Sequence, residues 1–518
     1  MKCVVKEKRH GSGPRVRPGQ SLAMYLIASL TALVFRPVSA EEPPAFRWAQ
    51  KVAACAHLTG LAVDDSHNCY VNGKLWRSHA QVGGTLLTNL GCFITKYDGA
   101  GNLVWTIQDA TAAASSRDIK IDARGNIYVA YEVSGYYTDT VIAGLVVSSR
   151  DPQLVLAKYD ASGKTLWARL GGPMSDLQSS TIAVDAQGNC YWALMARRPT
   201  VIGGLPVTNG VVIVKYDVTG NTSWARSIGG RCSPRVGANP EGNMFVGGGF
   251  FGRLRFGTTN LVCKDSPDTG AGDAYLAKYS SSGELIWASQ SGSEESESIE
   301  QIAVDGAGHC YVVGSFTREA SFGGFVLQSG TARQCTFAAK YDPSGLVLWA
   351  KKISEDGSGR TSIVLDGGGN CYVAGLTNGD ELVFSKYDGV GKLLWTRSGP
   401  TVRQFRFCAA RTGFCFVAAE FGDAATFDRF SLKSEHRKGT ENSIGLAMLD
   451  TTSSPWESLP VQKKPSGPPV FYVGTPEGFQ AAPKTATDKS APRSAGPGSN
   501  GVALPTSRGK MVLHFGQQ

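Results

Sequence analysis

The sequence predicts an all-β protein, a seven-bladed β-propeller of four-stranded blades in which the N-terminal strand closes the last blade. Two motifs each recur seven times, in a fixed order, between residues 46 and 450. The segments around them are rich in β-branched and aromatic residues and are bounded by turn formers. The 518 residues exceed one ordinary core, but a repeat architecture accommodates this length in a single ring.

The first forty residues predict an export signal. Residues 1–20 are basic, residues 21–35 form an apolar run without charge, and a small-residue ending at Ala40 precedes Glu41. This order is typical of a cleaved signal peptide. The apolar run is shorter than the roughly 20 residues that span a bilayer. We therefore expect cleavage between Ala40 and Glu41, with an uncleaved anchor as the alternative.

The net charge of +9 changes meaning once this segment is set aside. Residues 1–40 contain seven Lys or Arg and one acidic residue, so the mature chain carries only +3. A balance this close to neutral does not favour a nucleic-acid partner. No other apolar run is long enough to span a membrane. We expect a secreted, periplasmic or cell-surface protein, and a monomer.

The first repeated motif reads Tyr-Asp-x-x-Gly-x-x-x-Trp. It starts at Tyr97, Tyr159, Tyr216, Tyr279, Tyr341 and Tyr387, with Ser280 replacing Asp in the fourth of these. Trp48 matches the end of the motif alone, and the degenerate segment 446–450 matches its beginning. The motif predicts a strand C, a tight turn at the Gly, and a strand D that contains the Trp.

The second motif reads Ile-Ala-Val-Asp-x-x-Gly-Asn-Cys-Tyr-Val. Its seven copies are Leu61–Val71, Ile119–Val129, Ile182–Trp192, Val236–Val246, Ile302–Val312, Ile363–Val373 and Phe407–Val417. It predicts a strand A, a turn, and a strand B. Because the chain begins with a lone strand D and ends with A, B and C, we expect the Trp48 strand to pair with residues 443–450 and to remove an open edge.

These residues resemble the SBBP family of bacterial β-propeller repeats over about 400 of the 518 residues. Three copies depart from the pattern: Asn239 and Ala410 replace the turn Asp, and the sixth copy lacks a Phe-Gly-Gly segment. We expect local distortion there. The resemblance implies an exported or cell-surface protein, in a family mostly without an assigned activity.

Variable loops place a candidate ligand face at the B–C and D–A connections or at the mouth of the central channel, because function on rigid scaffolds concentrates in such loops. Two charged patches lie in these connections. They comprise Arg231, Arg235, Arg253 and Arg255 beside the fourth copy, and Glu294, Glu295, Glu297 and Glu300 before the fifth. Ordinary solvated loops are the alternative.

The Trp and Asp series each have a functional and a structural interpretation. Repeated Trp residues suit a stacking platform for sugars or bases, but their fixed repeat position favours packing between blades. The turn Asp residues (Asp64, Asp122, Asp185, Asp305 and Asp366) would suit a ring for Ca²⁺, but each begins a turn beside Gly, which favours turn capping. We expect no metal site and no cofactor.

The cysteines offer one candidate disulfide. Cys69, Cys190, Cys310, Cys371 and Cys415 occupy one repeat position, where Ile127 and Met244 stand in the other copies, so we expect buried apolar thiols in separate blades. A hairpin folded about Arg411 and Thr412 would place Cys408 opposite Cys415. A disulfide between them is feasible in an exported protein, and two core thiols are the alternative.

The function class follows from the scaffold and from what the motifs lack. Residues 451–518 contain 10 of the 24 Pro residues and predict a flexible tail. No metalloprotease, serine-hydrolase or phosphate-loop motif is present, so we do not expect an enzyme. We expect a binding or interaction module for a protein or glycan ligand. The alternative is an enzyme acting on a polysaccharide or other polymer at the channel mouth.

Overall fold

The computed structural model has the predicted architecture, a ring of seven antiparallel four-stranded sheets. The described residues are 43–111, 113–134, 139–148, 150–230, 233–264, 272–293, 295–330, 332, 334–355, 360–434, 442–451, 470–475 and 478–481. Apart from the strands, these residues form turns and short connections. They include no helix, and so none that could cross a membrane. The predicted cleavage site at Ala40 and Glu41 lies outside the described residues.

Each blade runs from strand A at the channel to strand D at the rim. Strands A are Ala56–Val63, Ala114–Ile121, Leu177–Val184, Arg235–Ala238, Glu297–Val304, Thr361–Leu365 and Gln404–Ala409. Strands B are Cys69–Leu75, Ile127–Val133, Cys190–Ala196, Met244–Phe250, Cys310–Phe316, Cys371–Leu376 and Phe414–Phe421. Strands C are Gly91–Tyr97, Gln153–Tyr159, Gly210–Tyr216, Asp273–Tyr279, Cys335–Tyr341, Glu381–Tyr387 and Ser443–Asp450. Strands D are Leu103–Thr111, Thr165–Pro173, Thr222–Gly229, Leu285–Ser291, Val347–Ser354, Leu393–Thr401 and, in blade 7, Phe46–Ala54.

The two ends of the repeat region meet in blade 7, as predicted. Strand Phe46–Ala54 pairs antiparallel with Ser443–Asp450, with Trp48 opposite Met448 and Ala54 opposite Ser443. The first strand of the ring is therefore the outer strand of the last blade. This pairing closes the ring with main-chain hydrogen bonds rather than with side-chain packing alone.

The hydrophobic core lies between adjacent blades rather than inside one sheet. Seven clusters of buried side chains occupy the seven blade-to-blade interfaces. The repeated cysteines are all fully buried, and each belongs to a different cluster, which confirms their prediction as separate apolar thiols. Every blade thus needs both neighbours to bury its two faces.

The A–B turn is capped by its Asp, as predicted. In blade 3, Asp185 Oδ1 accepts hydrogen bonds from the amides of Gln187 and Asn189, at 3.1 and 2.8 Å. Asp185 Oδ2 accepts from Asn189 Nδ2 at 2.8 Å and from the Tyr191 hydroxyl at 3.0 Å. That hydroxyl also lies 2.8 Å from the carbonyl oxygen of Gly242 in blade 4. One motif therefore closes its own turn and contacts the next blade.

The expected distortion at the two turns without Asp is not found. Asn239 accepts from the amide of Asn243 at 2.8 Å through Oδ1, and both main-chain bonds of that turn are retained. Ala410 has no side-chain acceptor, but its amide still donates to Phe414 O at 2.8 Å. Both copies have Phe where the other copies have the Tyr that bonds the turn Asp. In the two copies that lack the turn Asp, the Tyr whose hydroxyl would bond to it is therefore replaced by Phe.

The repeated Trp of strand D packs on the C–D turn of the next blade. Five of the seven are buried, and Trp48 and Trp287 are half-buried, so blade packing rather than an open stacking platform is confirmed. The indole donates to a carbonyl oxygen of that turn at 3.0–3.3 Å in five copies: Trp48 to Gly99, Trp105 to Ala161, Trp167 to Val218, Trp224 to Ser281 and Trp287 to Pro343.

The Gly of the C–D turn is required by this contact. Gly220 has φ +83°, and a Cβ there would lie 2.8 Å from Trp167 Cδ2. Gly283 and Gly345 have the same conformation and the same approach to Trp224 and Trp287. In the Tyr-Asp-x-x-Gly-x-x-x-Trp motif, the Gly therefore contacts the Trp of the preceding blade, and the Trp contacts the turn of the following blade.

Six blades carry an additional short hairpin between strands B and C. The pairs are Ala80–Val82 with Thr85–Leu87, Thr140–Ile142 with Leu145–Val147, Thr200–Ile202 with Leu205–Val207, Arg253–Phe256 with Thr259–Val262, Glu319–Phe322 with Phe325–Gln328, and Ala424–Phe427 with Phe430–Lys433. Their turns have positive φ, as at Gly203 and Gly204, which explains the Phe-Gly-Gly segment. In blade 6, whose residues 360–401 are all described, both the segment and the hairpin are absent.

Two further strands lie in the range 451–518 and were not predicted from the sequence. Val470–Thr475 pairs antiparallel with Gly478–Ala481. Its backbone also runs parallel to strand D of blade 1, with Val470 opposite Trp105. The chain thereby adds a strand to the outer edge of its own first blade.

The register expected for Cys408 and Cys415 is wrong, and the two thiols are not bonded. The loop contains three residues, Arg411–Gly413, because Gly413 adopts φ +97°. Ala409 therefore lies opposite Cys415, and Cys408 lies opposite Phe416. Since neighbouring residues of a strand point to opposite faces, Cys408 packs toward blade 1 and Cys415 toward blade 6.

Candidate functional site in the central channel

One position of strand A faces the channel in every blade. It lies four residues before the first residue of the A–B turn, and we call its seven members the channel ring. The ring consists of Gly60, Asp118, Thr181, Arg235, Gln301, Ser362 and Arg406. All seven border one cavity of about 740 Å³. One structural position therefore lines the channel with six different residue types, Arg occurring twice.

The larger cavity opens toward the D–A end of the channel. Its wall includes Arg235, Thr361 and Gln404, which begin strand A in blades 4, 6 and 7. A second cavity of about 410 Å³ is bordered by the A–B turns at the other end, including Asp185. The carboxylates of those turns are engaged in capping. The variable loops and the larger cavity thus lie at the same end.

Ring side chains join several blades to the next. Three of them accept a hydrogen bond from a main-chain amide of the following strand A: Asp118 Oδ2 from Ile182 at 3.0 Å, Thr181 Oγ1 from Val236 at 3.0 Å, and Gln301 Oε1 from Ile363 at 2.9 Å. Because strand A has no partner strand on its inner side, these bonds satisfy amides that would otherwise depend on channel water.

The two ring arginines use a different connection. Arg235 Nε donates to Glu300 O at 2.6 Å, and Arg406 Nε donates to Thr59 O at 3.1 Å. Each acceptor lies five residues before the turn Asp of the next blade. Arg406 Nη1 also donates to Phe405 O at 2.9 Å. Both guanidinium groups are therefore fixed at the channel wall by backbone carbonyls.

Bulges set the direction of the channel residues. Strand A has an irregular register in blades 1, 2, 3 and 5, just before or at the ring position. In blade 2 the extra residue is Arg117, and in blade 5 it is Glu300. A bulge inserts an unpaired residue and turns the chain, so these charged side chains join the wall of the cavity.

The wall has an excess of positive charge. Its described residues include five cations and two acids: Arg117, Lys120, Arg235, Arg360 and Arg406 against Asp118 and Glu300. Three of the cations have carboxylate partners: Lys120 with Asp118 at 2.6 Å, Arg360 with Asp380 at 3.0 Å, and Arg117 with Glu132.

Burial in the channel shifts the pKa values of Arg406 and Glu300. Desolvation lowers the pKa of Arg406, and the nearby charge of Arg235 acts in the same direction, while Asp118 and Glu420 oppose it. Desolvation also raises the pKa of Glu300, against hydrogen bonds that include Thr361 Oγ1 at 3.0 Å. Both shifts indicate a region in which charge is poorly solvated.

The two charged patches predicted from the sequence do not form one strip among the described residues. Arg235 belongs to the channel ring. Arg253 and Arg255 are exposed on the additional hairpin of blade 4, which packs against outer strands at the rim.

The acidic patch is divided in the same way. Glu295 forms an ion pair with Arg318 at 3.0 Å. Glu297 is buried and accepts from Ser293 Oγ at 2.8 Å, so it cannot belong to an exposed ligand face. Arg231 and Glu294 lie outside the described residues.

Sequence reasoning missed Asp118, Gln301 and Arg406, because the channel ring is not conserved from copy to copy. A comparison of the copies aligned on the turn Asp, and read four residues upstream, would have found charged residues at an inward position. Among the described residues, no group of three His, Cys, Asp or Glu is arranged to hold a metal ion.

Comparison with known proteins adds little about activity. No family profile matches the sequence. A WD repeat-containing protein of Acanthamoeba polyphaga mimivirus, described as uncharacterized, is 21% identical over 371 residues. The match covers 55% of this chain and 26% of that protein, so this chain spans about a quarter of its length.

Solved structures with a similar course of the chain have low sequence identity. A chain of the mitotic checkpoint complex has a TM-score of 0.42 at 9% identity, covering 82% of this chain and 98% of its own. The Dos1 propeller has 0.38 at 8%, covering 78% and 95%. A PL25 ulvan lyase has 0.36 at 12%, covering 72% and 93%.

Proposed function

We propose that this chain is an exported interaction module of the SBBP type, whose protein or glycan ligand docks at the wide end of the propeller channel. One observation carries the proposal: a cavity of about 740 Å³, bordered by all seven blades and walled by polar side chains from six of them, opens among the variable connections. Cavities of about 300–1,000 Å³ with a few convergent polar groups are typical of ligand sites.

The rigidity of the wall supports binding at this end. Ring side chains connect strand A to the next strand A in three pairs of blades, and the blades pack against each other through their Trp residues. A preorganised surface loses little conformational entropy when a ligand binds. Export is supported by the composition of residues 1–40, and N-terminal sequencing of the secreted chain should begin at Glu41.

The proposal is tested with the full chain on a glycan array and in pull-downs with purified surface proteins. Gln178 is exposed and borders the cavity, so Gln178→Trp should obstruct the mouth. Gln81→Trp makes the same substitution at an exposed site on a rim hairpin. Retention should be lost with Gln178→Trp and kept with Gln81→Trp. Absence of any ligand sensitive to Gln178→Trp would refute docking at the channel.

The alternative function, a polymer-acting enzyme, is favoured by one specific group. Glu300 combines a wall position with a raised pKa, which is what a general acid needs near neutral pH. This alternative requires that a retained ligand be converted, and that Glu300→Gln retain binding while abolishing conversion. A ligand recovered unchanged after prolonged incubation would exclude it.

A further inference from the structure

Arg235 and Arg406 occupy the same ring position in blades 4 and 7. These two blades are also the two whose A–B turns lack Asp, with Asn239 and Ala410 in its place. The copies that place a cation in the ring are therefore the copies that place no carboxylate in the turn below it. In these two blades, both the ring position and the first position of the A–B turn differ from the other copies in the direction of more positive charge.

We propose that Arg235 and Arg406 form a binding site for an oxyanion group, a carboxylate, phosphate or sulfate, inside the channel. This inference rests on the proposed function for the larger ligand that would carry the group. The ion site itself can be tested alone. Guanidinium groups suit such a ligand because their planar N–H donors match the oxygens of these groups.

The arginines are held in place before any ligand arrives. Their Nε atoms donate to Glu300 O and Thr59 O on the neighbouring blades, and Nη1 of Arg406 donates to Phe405 O. Three of the five N–H groups of Arg406 are not used by these two bonds. A fixed guanidinium loses less conformational freedom on binding than a mobile one.

The acids near the site have other partners. Asp118 contacts Lys120 at 2.6 Å, and Glu420 contacts His57 Nδ1 at 2.9 Å. Glu300 lies close enough to Arg235 for that charge to lower its pKa, but burial outweighs this and raises the pKa, which weakens the competition of Glu300 with an incoming anion. Asp118 and Glu420 do not lift the pKa of Arg406 back to its ordinary value, because burial and the like charge of Arg235 outweigh them. An anion between the two arginines would offset both effects.

The size of the cavity defines the ligand further. At about 740 Å³ it is far larger than a single phosphate or sulfate ion needs. The oxyanion is therefore one group of a longer ligand, and the polar ring residues Thr181, Gln301 and Ser362 would contact the remainder.

The experiment titrates the full chain with sulfate, phosphate, acetate and glucuronate at constant ionic strength, with chloride as the reference. Thermal shift and calorimetry report binding. At least one tetrahedral or carboxylate anion should raise the unfolding temperature above that in chloride. The order of the four anions separates tetrahedral oxyanions from carboxylates.

Three variants locate the site. Arg406→Gln and Arg235→Gln should each weaken binding by about tenfold or more, as expected for loss of a charge-assisted bidentate contact. Arg253→Gln makes the same change on the rim hairpin and should bind like the wild type. Because each arginine also joins its blade to the next, the folding of both variants in chloride is checked first. The two variants then give separate readings of the site from two different blade contacts.

Equal affinity in the wild type and both channel variants would overturn the proposal. So would the absence of any anion-specific shift in the wild type. If Gln178→Trp abolishes retention of a ligand while Arg235→Gln and Arg406→Gln leave it unchanged, the oxyanion site fails and docking at the channel stands.

Discussion

Substitution of Gly220 by Ala tests the contact that repeats around the ring. Gly220 has φ +83°, and an added Cβ would lie 2.8 Å from Trp167 Cδ2 and 3.0 Å from Cε2. The left-handed conformation costs an L-residue about 1–2 kcal/mol. Non-bonded carbon atoms prefer to be about 3.5–4.0 Å apart, so the indole or the turn must move. This movement costs about a further 1–3 kcal/mol. We expect a total loss of about 2–5 kcal/mol.

A matched control separates the two costs. Gly204 lies in the same blade with φ +82°, but nothing lies within 4 Å of its added Cβ. Gly204→Ala therefore carries the backbone cost alone, and we expect about 1–2 kcal/mol. The difference between the two variants measures the contact between strand D of blade 2 and the turn of blade 3.

The assay is urea unfolding followed by tryptophan fluorescence, with the midpoints compared at equal slope. In a Trp167→Ala background the indole is absent, so Gly220→Ala should then cost no more than Gly204→Ala. Equal losses for Gly220→Ala and Gly204→Ala in the wild-type chain would refute the assignment of this glycine to the indole contact.

Three further outcomes follow from the structure. Burial raises the pKa of Asp109 from 3.8 to about 7. The free energy of unfolding should therefore be unaffected by this group below pH 4 and should fall by about 4 kcal/mol as the pH rises to 7. In Asp109→Asn, unfolding curves should show a flatter dependence on pH. Trp287→Ala, which removes a half-buried indole and its bond to Pro343 O, should cost about 3 kcal/mol, and an unchanged urea midpoint would contradict its packing role. Alkylation of the denatured chain without reductant should modify both Cys408 and Cys415, and a mass showing a bond between them would contradict the observed register.

The sequence predicted the blades well because their determinants are repeated. Asp185 caps a turn and Trp167 packs on the next blade in the same way as their counterparts elsewhere, so seven copies report one structural requirement. Ring closure was predictable for a related reason: the missing strand D of the last copy and the unmatched Trp48 are complementary.

The channel ring was not predictable by the same argument. Its members have no packing role in common, and Asp118 and Arg406 differ in charge although they occupy one position. The one-residue error at Cys408 came from assuming a two-residue loop, whereas this turn has three loop residues with a left-handed Gly413, as in the other A–B turns. Strand Val470–Thr475 escaped prediction because it lies in a Pro-rich range and its partner strand is distant in sequence.

The pairing of Phe46–Ala54 with Ser443–Asp450 has a consequence for how the molecule folds. Strand Phe46–Ala54, the outer strand of blade 7, is synthesised before the other strands of the ring. It cannot pair until almost the whole repeat region has been synthesised, because its partner is the last strand of that region. Closure therefore has a very high contact order, and such steps are slow. The same topology resists opening, because release of either end exposes strand edges on both sides of the seam at once. We expect ring closure to be slow and the closed ring to be long-lived. Its lifetime should be set by the rate at which the two strands of blade 7 separate rather than by its equilibrium stability.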